Sequence, residues 1–290
     1  MDIEISKPLQ PFGAIVTGWR PDAELTADDL DTIRVALQQH LVLVFRGHAP
    51  PTDAELVRFA HHFGDLVKGT EWFGDIVEFP EILPITNRIG DDGIAQGTGG
   101  AAEFPWHADY SYVPRPGKES FLEAVELPEQ PPRTCFCSQY VALETLPKAL
   151  AEPLRGRSAF HSIEEYDPDD EAPEIMAGMS GKRERDARLG IERPGYPEAI
   201  HSVLFAHPET GREALYVSPG ITRYIVDMPR DESDALLAEL HAHSTRPENV
   251  YAHDWQAGDL VVFDTVGAMH RRDGWTTGEP RFMRQLSSMC

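Results

Sequence analysis

The hydrophobic pattern switches repeatedly between strand-like and helix-like periods. Residues 12–17 (FGAIVT) predict a short strand. Thr26 then opens a helix, TADDLDTIRVALQQH, with acidic residues in the first turn, where the helix dipole favours them. The run 41–45 (LVLVF), closed by Arg46-Gly47, has no alternation at all and predicts a strand buried on both faces. Thr52 and Glu55 form a capping box ahead of Leu56, Phe59, Ala60 and Phe63 at helical spacing, and Gly64 ends that helix. Strand-like segments recur at 106–113, 120–127 and 133–141. Residues 142–154 predict a helix with Pro147 near its first turn. Strands at 200–206 and 213–218 flank HPETGR, a hairpin signature, and Asp231 caps the helix ESDALLAELHAHS. The last two strands follow Gly258 (DLVVFDT) and Pro280 (RFMRQLSSM).

Two stretches break the pattern. Residues 67–103 are irregular and include the glycine-rich GDDGIAQGTGG, which predicts a mobile loop; without GK[ST] and a following helix signal it is not a phosphate loop. Residues 164–198 predict a lid-like insert, opening on the acidic run EEYDPDDE, whose mutual repulsion reads as a solvated loop. With no repeat and no linker, residues 1–290 are expected to form one domain. It is mainly β with flanking helices, a sandwich or jelly roll.

Composition narrows the partners. With 26 Lys+Arg against 48 Asp+Glu the formal net charge is −22. Such a surface repels phosphate backbones and anionic lipid, so neither nucleic acid nor a membrane is an expected partner. The start, MDIEISKPLQPFGAIV, lacks signal-peptide character, and no apolar run approaches the ~20 residues of a membrane helix. Cys135, Cys137 and Cys290 are odd in number and poorly spaced for a disulfide, which fits a reducing cytoplasm. The expected location is therefore cytoplasmic. Nothing in the pattern separates a monomer from a homo-oligomer.

Candidate chemistry begins at Trp106-His107-Ala108-Asp109. On a strand, positions i and i+2 share a face, so His107 and Asp109 would project together. HxD alone is weak evidence. The distal His270, just past an apolar strand, supplies a third ligand, and two His with one carboxylate make the facial triad of non-haem Fe(II) oxygenases. Arg281 follows His270 by 11 residues, and its planar fork can hold a distal carboxylate bidentately.

These motifs, with LVLVFRG, FAHHFGDL, WHADYSY, VELPEQPPRTCFCSQYVALETLP, HPETGREALYVSPGITRYIVDM, HDWQAGDLVVFDTVGAMHRR and PRFMR, run through most of the chain. Together they resemble the taurine dioxygenase (TauD/TfdA-like) family of Fe(II)/2-oxoglutarate-dependent oxygenases. The resemblance implies a double-stranded β-helix, a cupin-like jelly roll. It implies His107, Asp109 and His270 as iron ligands, and Arg281 and Thr134 on the co-substrate 2-oxoglutarate. It further implies O2-driven oxidation of a small organic molecule with release of succinate and CO2. Asp109 favours hydroxylation over halogenation, since related halogenases carry a small residue there. Desaturation or cyclisation would use the same site. A non-catalytic cupin-type binding module is the alternative class, and it would need neither Arg281 nor Thr134.

Three positions depart from the taurine enzyme. Gly69, beside Lys68, replaces a substrate-contacting His, Glu103 replaces an Asn, and Gln285 stands where an Arg is expected, with Arg284 one residue earlier. One step along a strand turns a side chain to the other face, so Arg284 is expected to be structural and taurine an unsuitable substrate. Glu103, if it faces the pocket, would favour an amine-bearing or amino-acid-derived metabolite; otherwise it lies on a solvated loop. Lys68, Trp72, Phe73 and Tyr110 are further candidates for substrate contact, with Tyr112 weaker. His161, His201 and His207 are expected to be structural, and Asp264 is a candidate partner behind His270.

Overall fold

In the computed structural model of this chain, residues 1–75, 77–163, 183–275 and 278–290 are described. The unalternating run near residue 43 becomes strand β3 (Val42–Phe45), buried at every position. Its side chains serve two cores. Val42 and Val44 pack with Leu122, Phe136, Phe263 and Met283. Leu43 and Phe45 pack with Ile33, Leu37, Leu56 and Phe59. Successive strand residues face opposite ways, so a strand covered on both sides must be apolar throughout.

β3 lies inside an eight-stranded sheet. Its order is β1 (Glu4–Ile5), β2 (Ala14–Thr17), β3, β15 (Leu260–Asp264), β7 (Gly117–Glu126), β17 (Phe282–Met289), β4 (Leu83–Thr86) and β5 (Thr98–Gly99). Helices α1 (Ala27–His40) and α2 (Asp53–His61) cover one face. The other face packs on a four-stranded sheet of β14 (Val250–His253), β8 (Thr134–Ser138), β16 (Ala268–Arg272) and β6 (Phe104–His107). This is the expected jelly roll. Beside it lie a sheet of β10 (Ala199–Ser202), β9 (Ser158–His161) and β13 (Thr222–Ile225), and the hairpin of β11 (Leu204–Ala206) and β12 (Glu213–Leu215) around HPETGR.

Both helix starts are capping boxes. Thr26 accepts from Asp29 N at 3.2 Å while Asp29 Oδ2 accepts from Thr26 N at 3.0 Å. Thr52 and Glu55 repeat the arrangement. Four expectations change. The strand at 106–113 stops at His107, and the one at 133–141 stops at Ser138, whose hydroxyl caps α4 (Gln139–Thr145). The single helix at 142–154 is two, α4 and α5 (Lys148–Leu154). Leu146 and Pro147 between them are extended, because proline disfavours helix in the residue before it. Asp231 lies in the first turn of α6 (Arg230–Ser244) and is not its cap, which is Pro229.

The irregular stretch 67–103 contains α3 (Thr70–Phe73), β4 and β5. Of the lid-like insert at 164–198, residues 164–182 lie outside the described residues. Residues 183–188 are helical, and Tyr196 stacks on Phe73 at 5.4 Å. Among the described residues no helix is long and apolar enough to cross a membrane, and the three cysteines are free.

On the helix-facing side, Glu119 and Asp264 are cross-strand partners, both buried. Burial pushes the Glu119 carboxyl up to about 8 against the opposing pull of Lys118. Its proton is thus held more tightly in the folded state than in the unfolded one. Stability contributed by that proton is fully present below the ordinary glutamate range and is lost as pH rises through about 8. Denaturation measured at about pH 5 and about pH 9 should show this decline in the wild type. Glu119→Gln should flatten it, and an equal decline in the variant would refute the assignment.

Candidate metal centre and its cavity

β16 runs antiparallel to β6 with His270 directly opposite His107. Cross-strand partners point to the same face, and the two imidazole centroids stand 4.1 Å apart. The carboxylate arrives differently from the expected strand alternation. After β6 ends at His107, the chain turns through Tyr110, whose φ of 53° is left-handed. Asp109 N donates to Thr265 Oγ1 at 3.0 Å, which fixes the turn. Asp109 Oδ1 then lies 3.4 Å from His107 Nε2 and 4.0 Å from His270 Nε2. Among the described residues these three form the one group whose ligand atoms all lie within 4.8 Å of one another.

The protonation states suit a cation. His107 Nδ1 donates to Pro105 O at 2.8 Å, leaving Nε2 free to bind metal. His270 lies against Phe136 and Phe263, and its burial, with His107 beside it, pushes it down to about 3 despite Asp109. It is a neutral imidazole. Burial alone would raise the Asp109 carboxyl, but His270, His107 and Ser120 hold it well below the usual range. Two neutral imidazole nitrogens and one carboxylate oxygen are the donor set of a facial triad.

Arg281 supplies a second fitting feature. It is 1% exposed, its main chain is anchored by Asn87 Oδ1 at 2.9 Å and Thr86 Oγ1 at 2.6 Å, and its guanidinium lies over the Trp275 ring at 5.8 Å. Its guanidinium lines the cavity, Nε has no hydrogen-bond partner, and no carboxylate among the described residues pairs with it. Burial, then the nearby Arg272, lowers it to about 9. Such a group is costly unless an anion meets it. Thr134 is also buried on the cavity wall, its hydroxyl accepting from Trp255 Nε1 at 3.0 Å.

The cavity, of about 180 Å³, brings together His107, Asp109, His270, Thr134, Arg281 and Tyr110. It leaves out three expected contacts. Glu103 is 63% exposed and pairs with Arg271 Nη1 at 3.2 Å, because the register shift between β6 and β16 puts Phe104, and not Glu103, on the face of His107, so it does not select an amine. Lys68 is exposed, and Trp72 is half-buried beside Phe73, which takes the wall position instead. Arg284 faces α2, paired with Glu123 and Asp53, and its strand neighbour Gln285 faces the cavity. Asp264 is not behind His270; it accepts from Tyr140 Oη at 2.6 Å and from Val266 and Gly267 N. His201 donates to Val113 O at 3.0 Å and His161 sits 3.3 Å from Ser111 Oγ, so both brace the turn that carries Asp109.

Sequence reasoning missed Arg272. It is two residues past His270 on β16, hence on the same face, and that spacing was the available signal. It donates to Gly99 O at 2.6 Å, Gly100 O at 2.9 Å and Ala102 O, tying the glycine-rich stretch to the site.

Comparison with known proteins identifies the family. Residues 5–287 match the family described as taurine catabolism dioxygenase TauD, TfdA family. Pentalenolactone F synthase of Streptomyces arenae is 35% identical over 97% of this chain and 93% of its own. The alpha-ketoglutarate-dependent 2,4-dichlorophenoxyacetate dioxygenase of Cupriavidus pinatubonensis is 27% identical over 98% and 97%. A taurine dioxygenase crystal structure from Burkholderia xenovorans superposes with a TM-score of 0.77 at 25% identity, covering 100% of this chain and 90% of that one. This chain belongs to the TauD/TfdA family of Fe(II)- and 2-oxoglutarate-dependent dioxygenases, and it is an oxidoreductase of that class.

Proposed function

We propose that the enzyme holds Fe(II) through His107, Asp109 and His270 and 2-oxoglutarate through Arg281 and Thr134. It uses O2 to oxidise a small organic substrate. One oxygen atom converts 2-oxoglutarate to succinate and CO2, and the other enters the substrate or leaves as water. The observation that carries this reading is a buried guanidinium without a counter-charge in the same cavity as the triad. Iron, when bound, supplies the site where the co-substrate's keto acid and O2 meet. Arg281 would hold the distal carboxylate, with Thr134 as the second co-substrate contact. Asp109 favours hydroxylation, while desaturation or ring closure would use the same residues. Gln285 in the wall, in place of a cation, disfavours taurine.

The test is anaerobic addition of Fe(II) and 2-oxoglutarate. A weak visible absorption band should develop only when both are present and be absent in His107→Ala. A wild type without the band, or an unchanged band in the variant, would overturn the reading.

A further inference from the structure

We propose that the substrate is an uncharged, largely apolar molecule, seated against Phe73, Leu83, Tyr112 and Ile221 and oriented by oxygen lone pairs of Tyr110 and Gln285. The inference deepens the reading above and rests on it.

The charge inventory of the cavity is the first argument. Among the described residues its charged side chains are Asp109, Arg272 and Arg281. Asp109 is taken by the metal and Arg281 by 2-oxoglutarate. Three of the five Arg272 N–H groups, including both on Nη2, donate to the carbonyls of Gly99, Gly100 and Ala102, so neither bidentate edge of its guanidinium is free. No charged side chain in this lining keeps a free fork or carboxylate to pair with the substrate. The undescribed positions change this little for an anion: residues 164–182 carry Lys182 as their one base, and Ile76, Thr276 and Thr277 are uncharged. A carboxylate or sulfonate entering this cavity would shed its hydration and find no free guanidinium fork to receive it. The candidate carboxylate for an ammonium, Glu103, is outside and paired with Arg271.

The second argument is the polar pair beside Asp109. Gln285 Nε2 donates to Ser287 Oγ at 2.8 Å and lies 3.4 Å from Asp109 Oδ2. Tyr110 Oη donates to Gln285 Oε1 at 3.2 Å. Their protons are committed, so the pair offers acceptor lone pairs, suited to a substrate hydroxyl. Gly69 makes this arrangement possible. A Cβ there would lie 2.3 Å from Tyr110 Oη, so any side chain at 69 would displace the tyrosine. Small-molecule sites commonly combine an apolar wall with a few placed polar groups.

Matched probes test this on the anaerobic protein with Fe(II) and 2-oxoglutarate: borneol (neutral alcohol), camphor-10-sulfonate (anion) and bornylamine (cation). Calorimetry gives affinity, and perturbation of the visible band reports seating beside the metal. Borneol should bind and perturb the band, with each charged probe weaker by about tenfold or more. Gly69→Ala, at a helical backbone position that accepts Ala, should keep the band and weaken borneol by about tenfold. Equal or tighter binding of either charged probe, or no binding of borneol, overturns the inference while the band upholds the iron reading. A missing band overturns the iron reading itself.

Discussion

His270→Ala should lose iron and 2-oxoglutarate turnover by more than about 100-fold, because loss of a partner that merely orients a metal ligand already costs about 10–100-fold. His270 is one of the three proposed protein ligands, and nothing near it can substitute. Its flanks are Phe136 and Phe263, and the opposite strand presents His107, itself a proposed ligand. The variant should stay folded. In the wild type His270 is a buried imidazole whose Nδ1 has no partner among the described residues, so its removal discards a desolvated polar group along with some packing. The measurement is iron content after anaerobic loading and dialysis, with succinate formation alongside and circular dichroism as the folding control. A folded variant that retained iron and turnover would remove His270 from the site.

Arg281→Met should raise the KM for 2-oxoglutarate by roughly 30-fold to more than 1,000-fold, the equivalent of the roughly 2–5 kcal/mol attached to truncating a buried charge-paired group. It should also stabilise the metal-free protein. The guanidinium is buried without a carboxylate, and that burial lowers it to about 9. Replacing such a group by an apolar chain of similar volume is worth about 1 kcal/mol or more, or roughly 2–4 °C in Tm for a domain of this size. Arg281→Lys should not restore the KM, since a lysine cannot make the paired contact of a guanidinium fork. Opposite signs for binding and stability would mark a residue kept for its ligand. An unchanged KM in a folded Arg281→Met would end its assignment to the co-substrate.

Much of the scaffold was legible because local rules and tertiary needs agree there. The run 41–45 is apolar at every position because both faces of β3 are covered, and the two capping boxes form within four consecutive residues. The failures fall where one residue's backbone preference decides the path. Pro147 split a helix that side-chain periodicity would have continued, and the turn at Tyr110 ended a strand whose pattern ran on. Glu103 could not be placed from the chain alone, because a register shift between β6 and the distant β16 decides which way it points.

The amino-acid sequence by itself supplied the proposed donor set: two histidines, one aspartate and one arginine, whose roles follow from the resemblance to iron and 2-oxoglutarate enzymes. It also determined that Arg284 and Gln285 must face opposite ways, since strand side chains alternate. The tertiary structure decided what surrounds those donors. The antiparallel register of β16 on β6 sets His270 opposite His107, across a separation of 163 residues in the chain. The fold also leaves Arg281 buried without a counter-charge, sends Glu103 to the surface, and lets Tyr110 fill the space over Gly69. Those outcomes depend on which distant segments share a cavity and how much water they exclude, and no local pattern encodes that.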